Sequence, residues 1–138
     1  MRYKAVYELV APEVYIKLRT ESGLSPKTME AAKIGLANSL CCVAIIDTEN
    51  DGEAIGMGRI VGDGACHCQV VDICVLPAHQ KKGLGKLIMT KLKEFIDESL
   101  PSSCYISLIA DGEAYKLYAA YGFAEVWPVS RGMAFSKK

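Results

Sequence analysis

The chain contains 138 residues, 51% of them hydrophobic, and its 16 basic residues are balanced by 16 acidic residues. This length predicts a single domain over residues 1–138 with a core of its own, and the zero net charge argues against nucleic-acid or membrane partners. Because the sequence has no run of about 18 apolar residues and no signal segment, we expect a soluble protein of the cytoplasm.

The cysteines are expected to be free thiols in the core. They fall in apolar runs that predict strands: Cys41, Cys42, Cys66, Cys68, Cys74 and Cys104. A cytosolic chain of this size has little need of disulfides, and buried thiols pack like small hydrophobic side chains. The segment Cys66-His67-Cys68 lacks the paired spacing that completes a zinc site, so we predict no metal.

In the first half of the chain, apolar periodicity and turn residues predict two helices and four strands. The predicted strands cover 2–9, 41–47, 54–61 and 67–76. The first helix covers 11–21 and has Pro12 in its first turn, where the missing N–H removes no helical hydrogen bond. The second helix is predicted to begin with Ser25 as its N-cap and Pro26 at the first helical position.

The second half of the chain begins with a helical period over 83–99, and Pro101 ends that helix. A strand is predicted over 105–110, followed by a short helix that Asp111 caps and Gly122 ends. The inward face of this helix consists of Ala114, Leu117, Tyr118 and Tyr121. Two short closing strands are predicted over 123–126 and 132–135. The order of elements indicates the fold class α/β (mixed α+β).

The most informative segment joins the strand that ends at Pro77 to the long helix. It has the sequence Gln80-Lys81-Lys82-Gly83-Leu84-Gly85-Lys86. Amide groups at a helix N-terminus lack intrahelical partners and lie at the positive end of the helix dipole, so they favour a phosphate or pyrophosphate. The two glycines leave room for the ligand's oxygens, and the three lysines add positive charge at the same place.

The spacing of this segment argues against two common phosphate-binding motifs. A P-loop requires Gly-x-x-x-x-Gly-Lys-Ser/Thr, and a dinucleotide-binding turn requires three glycines directly after the strand. This segment fits neither, because its two glycines follow a six-residue loop that covers 78–83. The glycines alone leave open an ordinary strand–loop–helix turn with solvent-facing lysines.

Two elements resemble the GNAT superfamily of N-acetyltransferases, and together they cover about the last half of the chain. Val75-x-Pro77-x-x-Gln80-x-x-Gly83-x-Gly85, followed by an amphipathic helix, resembles the acetyl-CoA signature of that family. The segment 114–123 is similar to its C-terminal element, in which a tyrosine, three residues and Gly-Phe follow in order. The runs 58–64 and 71–75, with Gly132-Met133, are similar to the small-amine branch that includes plant-type serotonin N-acetyltransferases.

The resemblance implies a central, mixed and mostly antiparallel sheet flanked by about four helices. It also implies an enzyme that moves acetyl from acetyl-CoA to the primary amine of a small molecule, by direct attack in a ternary complex. The pantetheine arm would lie along Ile73, Cys74 and Val75, with the Val75 N–H polarising the thioester carbonyl. The pyrophosphate would lie on the amides of the loop and helix start, which are Gln80, Lys81, Lys82, Gly83, Leu84, Gly85 and Lys86.

Tyr118 and Asp72 are the predicted catalytic residues. Tyr118 matches the family tyrosine that faces the CoA sulfur, and a phenol with a pKa near 10 can protonate a thiolate. The alternative is that Tyr118 belongs only to the apolar face of its helix. Asp72 is a carboxylate in an apolar strand, and it could accept the proton of the ammonium group. An internal salt bridge to Arg59 on the neighbouring strand is an equal alternative.

The face of the strand on which Asp72 lies depends on the regularity of that strand. Strict alternation places Asp72 on one face with Val70 and Cys74, opposite Ile73 and Val75. Central strands of the family are often bulged, so this parity does not decide the role of Asp72. His67 and Gln69, also on this strand, are lesser candidates for the base, and many family members use no dedicated base.

We expect the acceptor site to be built from the two N-terminal helices, their loop and Trp127-Pro128, with Glu21, Glu30 and Glu53 as available acids. One rival hypothesis is a protein or peptide acetyltransferase, which would have an open groove. Another is a regulatory domain that binds acyl-CoA without turnover. A homodimer is also an option, and the short C-terminal strands would be natural contact edges.

Overall fold

A computed structural model describes residues 1–137, so the C-terminal boundary of the predicted domain, Lys138, lies outside the described residues. In chain order the elements are β1 Tyr3–Tyr7, α1 Pro12–Glu21, α2 Met29–Ala37, β2 Cys41–Asp47, β3 Glu53–Gly62, β4 His67–Val75, a 3₁₀ turn Pro77–His79, α3 Leu84–Ser99, β5 Tyr105–Leu108 and α4 Tyr115–Ala119.

The five strands form one sheet in the order β1-β2-β3-β4-β5. Strands β1 to β4 are antiparallel to their neighbours, and β5 runs parallel to β4. A parallel pair needs a crossover connection, and α3 supplies it between β4 and β5. This arrangement confirms the predicted fold class, a mixed and mostly antiparallel sheet with four helices.

Both faces of the sheet are covered, and each face has its own cluster of buried side chains. On one face Ile88 and Leu92 of α3 pack against the sheet, and both are fully buried. On the other face Leu18 of α1 and Leu36 of α2 pack against Met57 of β3. The molecule therefore has three layers, with the sheet between α1 and α2 on one side and α3 on the other.

Strand β4 contains a bulge in its middle, opposite Gly58 of β3. Met57 pairs with Cys74 and Arg59 pairs with Val71, so two residues of β4 face one residue of β3. Asp72, one of the two, has φ of 62°, in the left-handed region. A bulge of this kind changes the faces on which later side chains lie.

The parity of β4 reverses at the bulge. Val70 belongs to the buried cluster on the α3 face, whereas Cys74, four residues later, belongs to the cluster on the α1–α2 face. Ile73 and Val75 pack toward the α3 face instead. Alternation therefore places Cys74 correctly on the face opposite Ile73 and Val75, but Val70 does not share the face of Cys74, because the extra residue shifts the period by one.

Helix α2 begins later than predicted. Its N-cap is Thr28, whose side chain accepts a hydrogen bond from the Ala31 N–H at 3.1 Å. Ser25 is not a cap, because its carbonyl and hydroxyl oxygens both accept hydrogen bonds from the Arg19 guanidinium. The competition of a buried arginine for Ser25 displaces the helix start by one turn.

The end of the chain also differs from the prediction. The segments 123–126 and 132–135 are not strands, and every residue from 124 to 137 is exposed. Helix α4 has Ala114 as its N-cap, so Asp111 does not cap it; the Asp111 carbonyl accepts from Ala114 N–H in the preceding turn. Leu117, Tyr118 and Tyr121 do pack inward, as predicted.

The cysteines are all free, but they are not all in the core. Cys41, Cys42, Cys68 and Cys74 are buried in strands. Cys66 is exposed in the turn before β4, where three consecutive N–H groups, including its own, donate to Oδ1 of Asp63. Cys104 is partly buried just before β5, with its Sγ 3.6 Å from that of Cys68.

Candidate active site

The sheet opens between β4 and β5. The two strands pair only from His67–Tyr105 to Val70–Leu108, after which β5 ends while β4 continues to Val75. A cleft of ≈ 580 Å³ lies at this divergence. Its walls come from α1, the α1–α2 loop, β3, β4, the end of β5 and the start of α4. Residues 71–75 therefore have no neighbouring strand on the side of β5.

The second half of β4 presents backbone groups to this opening. The Leu76 N–H donates to the Ile55 carbonyl of β3 at 2.9 Å. Because successive N–H groups of a strand point to opposite edges, the N–H group of Val75 points away from β3. It is thus available to a ligand that lies along the open edge.

The loop after β4 is fixed by side chains at both ends. The Gln80 side-chain amide donates to the Val75 carbonyl at 2.9 Å, so this residue of the signature ties the loop to the strand. The Tyr3 hydroxyl lies 2.7 Å from Nδ1 of His79 and links the 3₁₀ turn to β1. Lys81 and Gly83 have φ values of 63° and 78°, so the loop turns through two left-handed residues before the helix.

The N-terminus of α3 is suited to an anion. The first N–H bonded within the helix is that of Leu87, which donates to the Gly83 carbonyl at 3.2 Å, so the amides of residues 84–86 precede the helical ladder. No side chain caps this end, and the first turn has no acidic residue. Lys81, Lys82 and Lys86 are exposed around it. The residues present therefore fit a pyrophosphate.

The two glycines of the segment serve different structural purposes. Gly83 adopts the left-handed conformation, and a Cβ added there would meet nothing within 4 Å, so space is open in front of it. A Cβ at Gly85 would lie 3.2 Å from Cδ2 of Leu117. Gly85 therefore allows α4 to approach α3 closely. Tyr121 closes the same junction by donating to the Lys86 carbonyl at 2.9 Å.

Tyr118 lies on α4 and lines the cleft. Its side chain is half-buried against the α3-face cluster, and its hydroxyl has no hydrogen-bond partner among residues 1–137. Burial, and to a smaller extent the Asp111 carboxylate, raise the pKa of Tyr118 above its ordinary value of 10.0. The phenol is therefore a protonated group with a free hydroxyl at the open end of the sheet.

Asp72 lies at the centre of a buried charge cluster, which we define as Tyr15, Arg19, Arg59 and Asp72. One carboxylate oxygen pairs with Nη1 of Arg19. The other accepts from Nε of Arg59 at 2.8 Å and from the Tyr15 hydroxyl at 3.0 Å. The side chains of the three charged residues are 5% to 9% exposed. The predicted alternative of an ion pair with Arg59 is thus confirmed.

The charge cluster ties four elements together. Arg19 also binds Ser25 in the α1–α2 loop. Arg59 donates to the Gly35 carbonyl and the Ser39 hydroxyl at 3.0 and 2.8 Å. Since Asp72 is the bulged residue of β4, the cluster fixes the bulge to α1, β3 and the end of α2. Burial, followed by the charge of Asp72, raises the pKa of Tyr15.

Sequence reasoning missed Arg19 and Tyr15 as parts of this site. The available signal was Arg19 on the otherwise apolar face of α1, four residues from a buried aromatic and one from Leu18. A charged residue at a core position requires a buried partner of opposite charge. Asp72 is an acidic residue placed in an apolar run, so the two could have been paired from the pattern.

Of the other residues predicted for the base or the acceptor site, most lie outside the cleft. Gln69 lines the cleft. His67 is exposed at the start of β4, next to the Tyr105 ring. Trp127 does not line the cleft of its own chain and is 61% exposed. None of the three glutamates proposed for the acceptor site lines the cleft either: Glu21, Glu30 and Glu53. The acids at the cleft are Asp72 and Asp111.

Within 1–137, no group of three or more histidine, cysteine, aspartate or glutamate residues is arranged to hold a metal ion. Across the same part of the chain, no helix has the length and apolar character needed to cross a membrane.

Comparison with known proteins gives matches in sequence and structure. The family model described as "Acetyltransferase (GNAT) domain" matches residues 37–125. GCN5-related N-acetyltransferase 1, chloroplastic, from Arabidopsis thaliana is 29% identical over 67% of this chain and 46% of its own length. Serotonin N-acetyltransferase 2, chloroplastic, from Oryza sativa subsp. japonica is 33% identical over 61% of this chain and 41% of its own. The chain thus spans less than half the length of both relatives.

The solved structures agree in fold over the full chain. A probable acetyltransferase of unknown function from meticillin-resistant Staphylococcus aureus is 42% identical, with a TM-score of 0.90 over 98% of this chain and 99% of that one. A GNAT-family acetyltransferase from Streptococcus pneumoniae, 23% identical, has the same fold with a TM-score of 0.78 over 99% of this chain and 98% of that one. The family model covers well over half of the chain, and this chain therefore belongs to the GNAT acetyltransferase family.

Proposed function

We propose that the chain is an N-acetyltransferase that moves acetyl from acetyl-CoA to the primary amine of a small molecule. The observation that carries this proposal is the open edge of β4, which lies between an uncapped helix N-terminus and a tyrosine with a free hydroxyl. These are the three groups that acetyl transfer from a nucleotide thioester requires: an anion site, a donor for the carbonyl oxygen and an acid.

The binding residues divide between the strand and the helix. The backbone of Ile73, Cys74 and Val75 would pair with the pantetheine arm, as an added strand edge does. The amides of 80–86 would hold the pyrophosphate, and the lysines of this segment would contribute charge. Acetyl-CoA, when bound, supplies the acetyl group as a thioester.

Binding at the helix start is tested by reversing one charge there. Lys82→Glu is expected to weaken acetyl-CoA binding at least tenfold by isothermal titration, because it places a carboxylate beside the proposed phosphates. Lys33→Glu, on the exposed face of α2, makes the same charge change elsewhere and is expected to leave affinity within twofold. Equal affinities of the two variants for acetyl-CoA would show that its phosphates do not bind at this loop.

In the chemical step, the neutral amine attacks the thioester carbonyl directly within a ternary complex. A C–N bond forms and the C–S bond breaks. The Val75 N–H donates a hydrogen bond to the oxygen that gains charge. Tyr118 gives its hydroxyl proton to the leaving sulfur, and the proton released by the amine returns the phenol to its starting form through solvent. The raised pKa of Tyr118 keeps it protonated before the reaction.

We assign Asp72 a positioning role and not the role of general base. Both of its oxygens are occupied by two guanidinium groups and a phenol, and removal of that negative charge would leave the arginines unpaired in the interior. The amine is then deprotonated by water, without a dedicated base. Asp72 acts on the reaction through the bulge, which sets where Ile73 and Val75 lie along the cleft.

The acceptor class follows from the size of the cleft. A volume of ≈ 580 Å³ lies within the range of small-molecule sites. Its lining combines apolar Val61, Leu108 and Ile109 with the polar groups of Gln69 and Ser25. Serotonin N-acetyltransferase among the relatives supports an amine with an apolar or aromatic body. For the compartment we propose the cytoplasm, because all six thiols are free.

The direct test is a panel of primary amines incubated with acetyl-CoA, in which product is detected by its gain of one acetyl group in mass spectrometry. Peptides with free lysine and free N-terminal amines belong in the same panel. Turnover of peptides alone would favour a protein acetyltransferase. Acetyl-CoA binding without turnover of any amine would favour a regulatory domain.

Tyr118→Phe tests the assigned acid. It is expected to lower kcat at least tenfold with a smaller change in KM, since it removes a group used in the transition state. Tyr115→Phe is the matched control, because Tyr115 is on the same helix, 45% exposed and outside the cleft. An unchanged kcat in Tyr118→Phe would exclude the phenol from the reaction.

A further inference from the structure

The walls of the cleft carry more positive than negative charge. Three cationic side chains and two carboxylates line it, namely Arg19, Lys27, Arg59, Asp72 and Asp111. Asp72 is shared by Arg19 and Arg59, so one carboxylate serves two guanidinium groups whose side chains are only 8% and 9% exposed. A buried cation without a full negative charge beside it is unfavourable, and an anion that binds there restores the balance.

Arg59 has hydrogen-bond donors left over for such an anion. Its Nε donates to Asp72, and its Nη1 donates to the Gly35 carbonyl and the Ser39 hydroxyl. Its Nη2 has no acceptor in hydrogen-bonding geometry within residues 1–137, and the nearby Tyr15 hydroxyl donates its own proton to Asp72. Every fully buried side-chain nitrogen in this part of the chain has a partner, so Nη2 is not enclosed in the core. Because Arg59 lines the cleft, Nη2 is open to a ligand there.

Lys27 supplies a second free cation, in the α1–α2 loop that the charge cluster holds. It is exposed and lines the cleft. It is absent from the ion pairs that lysines make within residues 1–137, which involve Lys17, Lys91, Lys93 and Lys116. Two residues earlier, the Ser25 carbonyl and hydroxyl both accept hydrogen bonds from Arg19. The loop is therefore fixed beside the cluster, and it adds an unpaired ammonium group to the same cleft.

The second carboxylate of the cleft lies across β4, beside the proposed acid. Arg59 is on β3, on one side of β4, whereas Asp111 follows β5, on the other side. The charge of Asp111 is close enough to Tyr118 to contribute to the raised pKa of this phenol. Asp111 forms no ion pair within residues 1–137. The cleft is thus bipolar, with free cations on the side of α1 and β3 and a free carboxylate on the side of α4.

We propose that the acceptor is a zwitterion, a primary amine whose far end carries a carboxylate or a phosphate group. The inference rests on the proposed acetyl transfer, which brings the amine to Tyr118. The ammonium group enters on the side of Asp111, and the anion binds the Lys27 ammonium and Nη2 of Arg59 by charge-assisted hydrogen bonds. Lys27 and Arg59 thereby determine specificity, because an anion held at the far end orients the amine toward the thioester.

Two amines of nearly equal shape test the charge of the acceptor. 4-(Aminomethyl)benzoate and 4-(aminomethyl)benzamide differ at the far end only, where one is an anion and the other a neutral amide. Isothermal titration, with and without CoA, should show the benzoate binding about tenfold more tightly than the benzamide. Added sodium chloride should reduce this preference, because salt screens the charges. A third probe, 4-(aminomethyl)phenylphosphonate, distinguishes the two anions: if it binds more tightly than the benzoate, the natural group is a phosphate.

Lys27→Met removes one of the two free cations and keeps a long side chain. Because Lys27 is exposed, the substitution leaves the core untouched. It should reduce the preference for the benzoate to about threefold or less, with an unchanged affinity for the benzamide. Lys33→Met makes the same change on the exposed face of α2, outside the cleft, and is the matched control. The control should keep the preference of the wild-type protein.

Equal affinities of the benzoate and the benzamide for the wild-type protein would overturn the proposal. So would a preference that Lys27→Met leaves unchanged, or a failure of all three probes to bind. Because binding is measured without turnover, these results are separate from the fate of the proposed function. Selective binding of the benzoate without acetylation would support the zwitterion site and exclude the transfer. Acetylation of both amines with the same kcat/KM would support the transfer and exclude the charge selectivity.

Discussion

Asp72→Asn separates a structural role for this residue from a catalytic one. Asparagine has nearly the same shape and tolerates the left-handed backbone that Asp72 adopts, so the bulge itself is not strained by the change. What is lost is the negative charge between Arg19 and Arg59. Their side chains are 8% and 9% exposed, so water compensates little for the loss.

Removal of one partner from a buried ion pair destabilises a protein by about 3–5 kcal/mol. We expect the lower end, about 3 kcal/mol, for two reasons. The amide oxygen of asparagine can still accept one hydrogen bond. The arginines also keep neutral partners, which are Ser25 for Arg19 and Gly35 and Ser39 for Arg59. The repulsion of two unpaired cations remains.

Urea unfolding followed by far-ultraviolet circular dichroism measures this loss. With a denaturant dependence of about 2 kcal/mol per M, the midpoint should fall by roughly 1.5 M. Asp97→Asn is the matched control, because Asp97 forms an ion pair with Lys93 at 2.6 Å on the exposed face of α3. The control should change stability by about 0.5 kcal/mol or less. An Asp72→Asn protein as stable as the control would refute the structural role.

The kinetic behaviour of Asp72→Asn gives an independent check. If Asp72 were the base, kcat would fall at full stability, and the acidic limb of the pH profile would disappear. If Asp72 instead positions the bulge, the acidic limb of the pH profile should remain. The KM for acetyl-CoA should rise, because loss of the charge moves the open edge of β4 along which acetyl-CoA is proposed to lie.

Three further predictions follow from the geometry. Thiol titration of the folded protein at neutral pH should find one fast-reacting thiol, removed by Cys66→Ser, since Cys66 is exposed while burial raises the pKa of Cys41 and of Cys74 to about 11. The ratio of wild-type to Tyr118→Phe kcat should fall to half its neutral-pH value only above pH 10, because burial raises the pKa of Tyr118 above its ordinary value of 10.0; a ratio already halved at or below pH 10 would contradict it. Gly83→Ala should cost about 1 kcal/mol, through its positive φ alone, in a thermal unfolding measurement.

The elements with strong local patterns could be predicted from the sequence. Strand β2 was predicted with its observed bounds, and α3 within one residue, because β2 is apolar up to Asp47 and α3 has a regular apolar face. The uncapped helix start after Gln80 could be anticipated from the glycines and lysines of this loop, and its role as a ligand site stays a prediction. The side-chain bond from Gln80 to Val75 could not be foreseen, because it depends on how the loop folds back onto its own strand.

Two differences from the prediction share one cause, which is a contact with a partner distant in sequence. The start of α2 depends on Arg19, which takes the oxygens of Ser25. The face on which Val70 lies relative to Cys74 depends on a bulge at Asp72, which Arg19 and Arg59 hold. In both cases the local pattern was compatible with the prediction, and a contact made elsewhere decided the outcome.

The position of the charge cluster explains why this sheet opens where it does. Before the bulge, β4 pairs with β5 and its Val70 packs under α3. After the bulge, the strand has lost β5, and its open edge faces the cleft. A carboxylate held by cations from α1 and β3 keeps the transition at Asp72 and prevents the strand from sliding by one residue, which would exchange the two faces. The buried ion pairs therefore fix the register of the edge that borders the cleft.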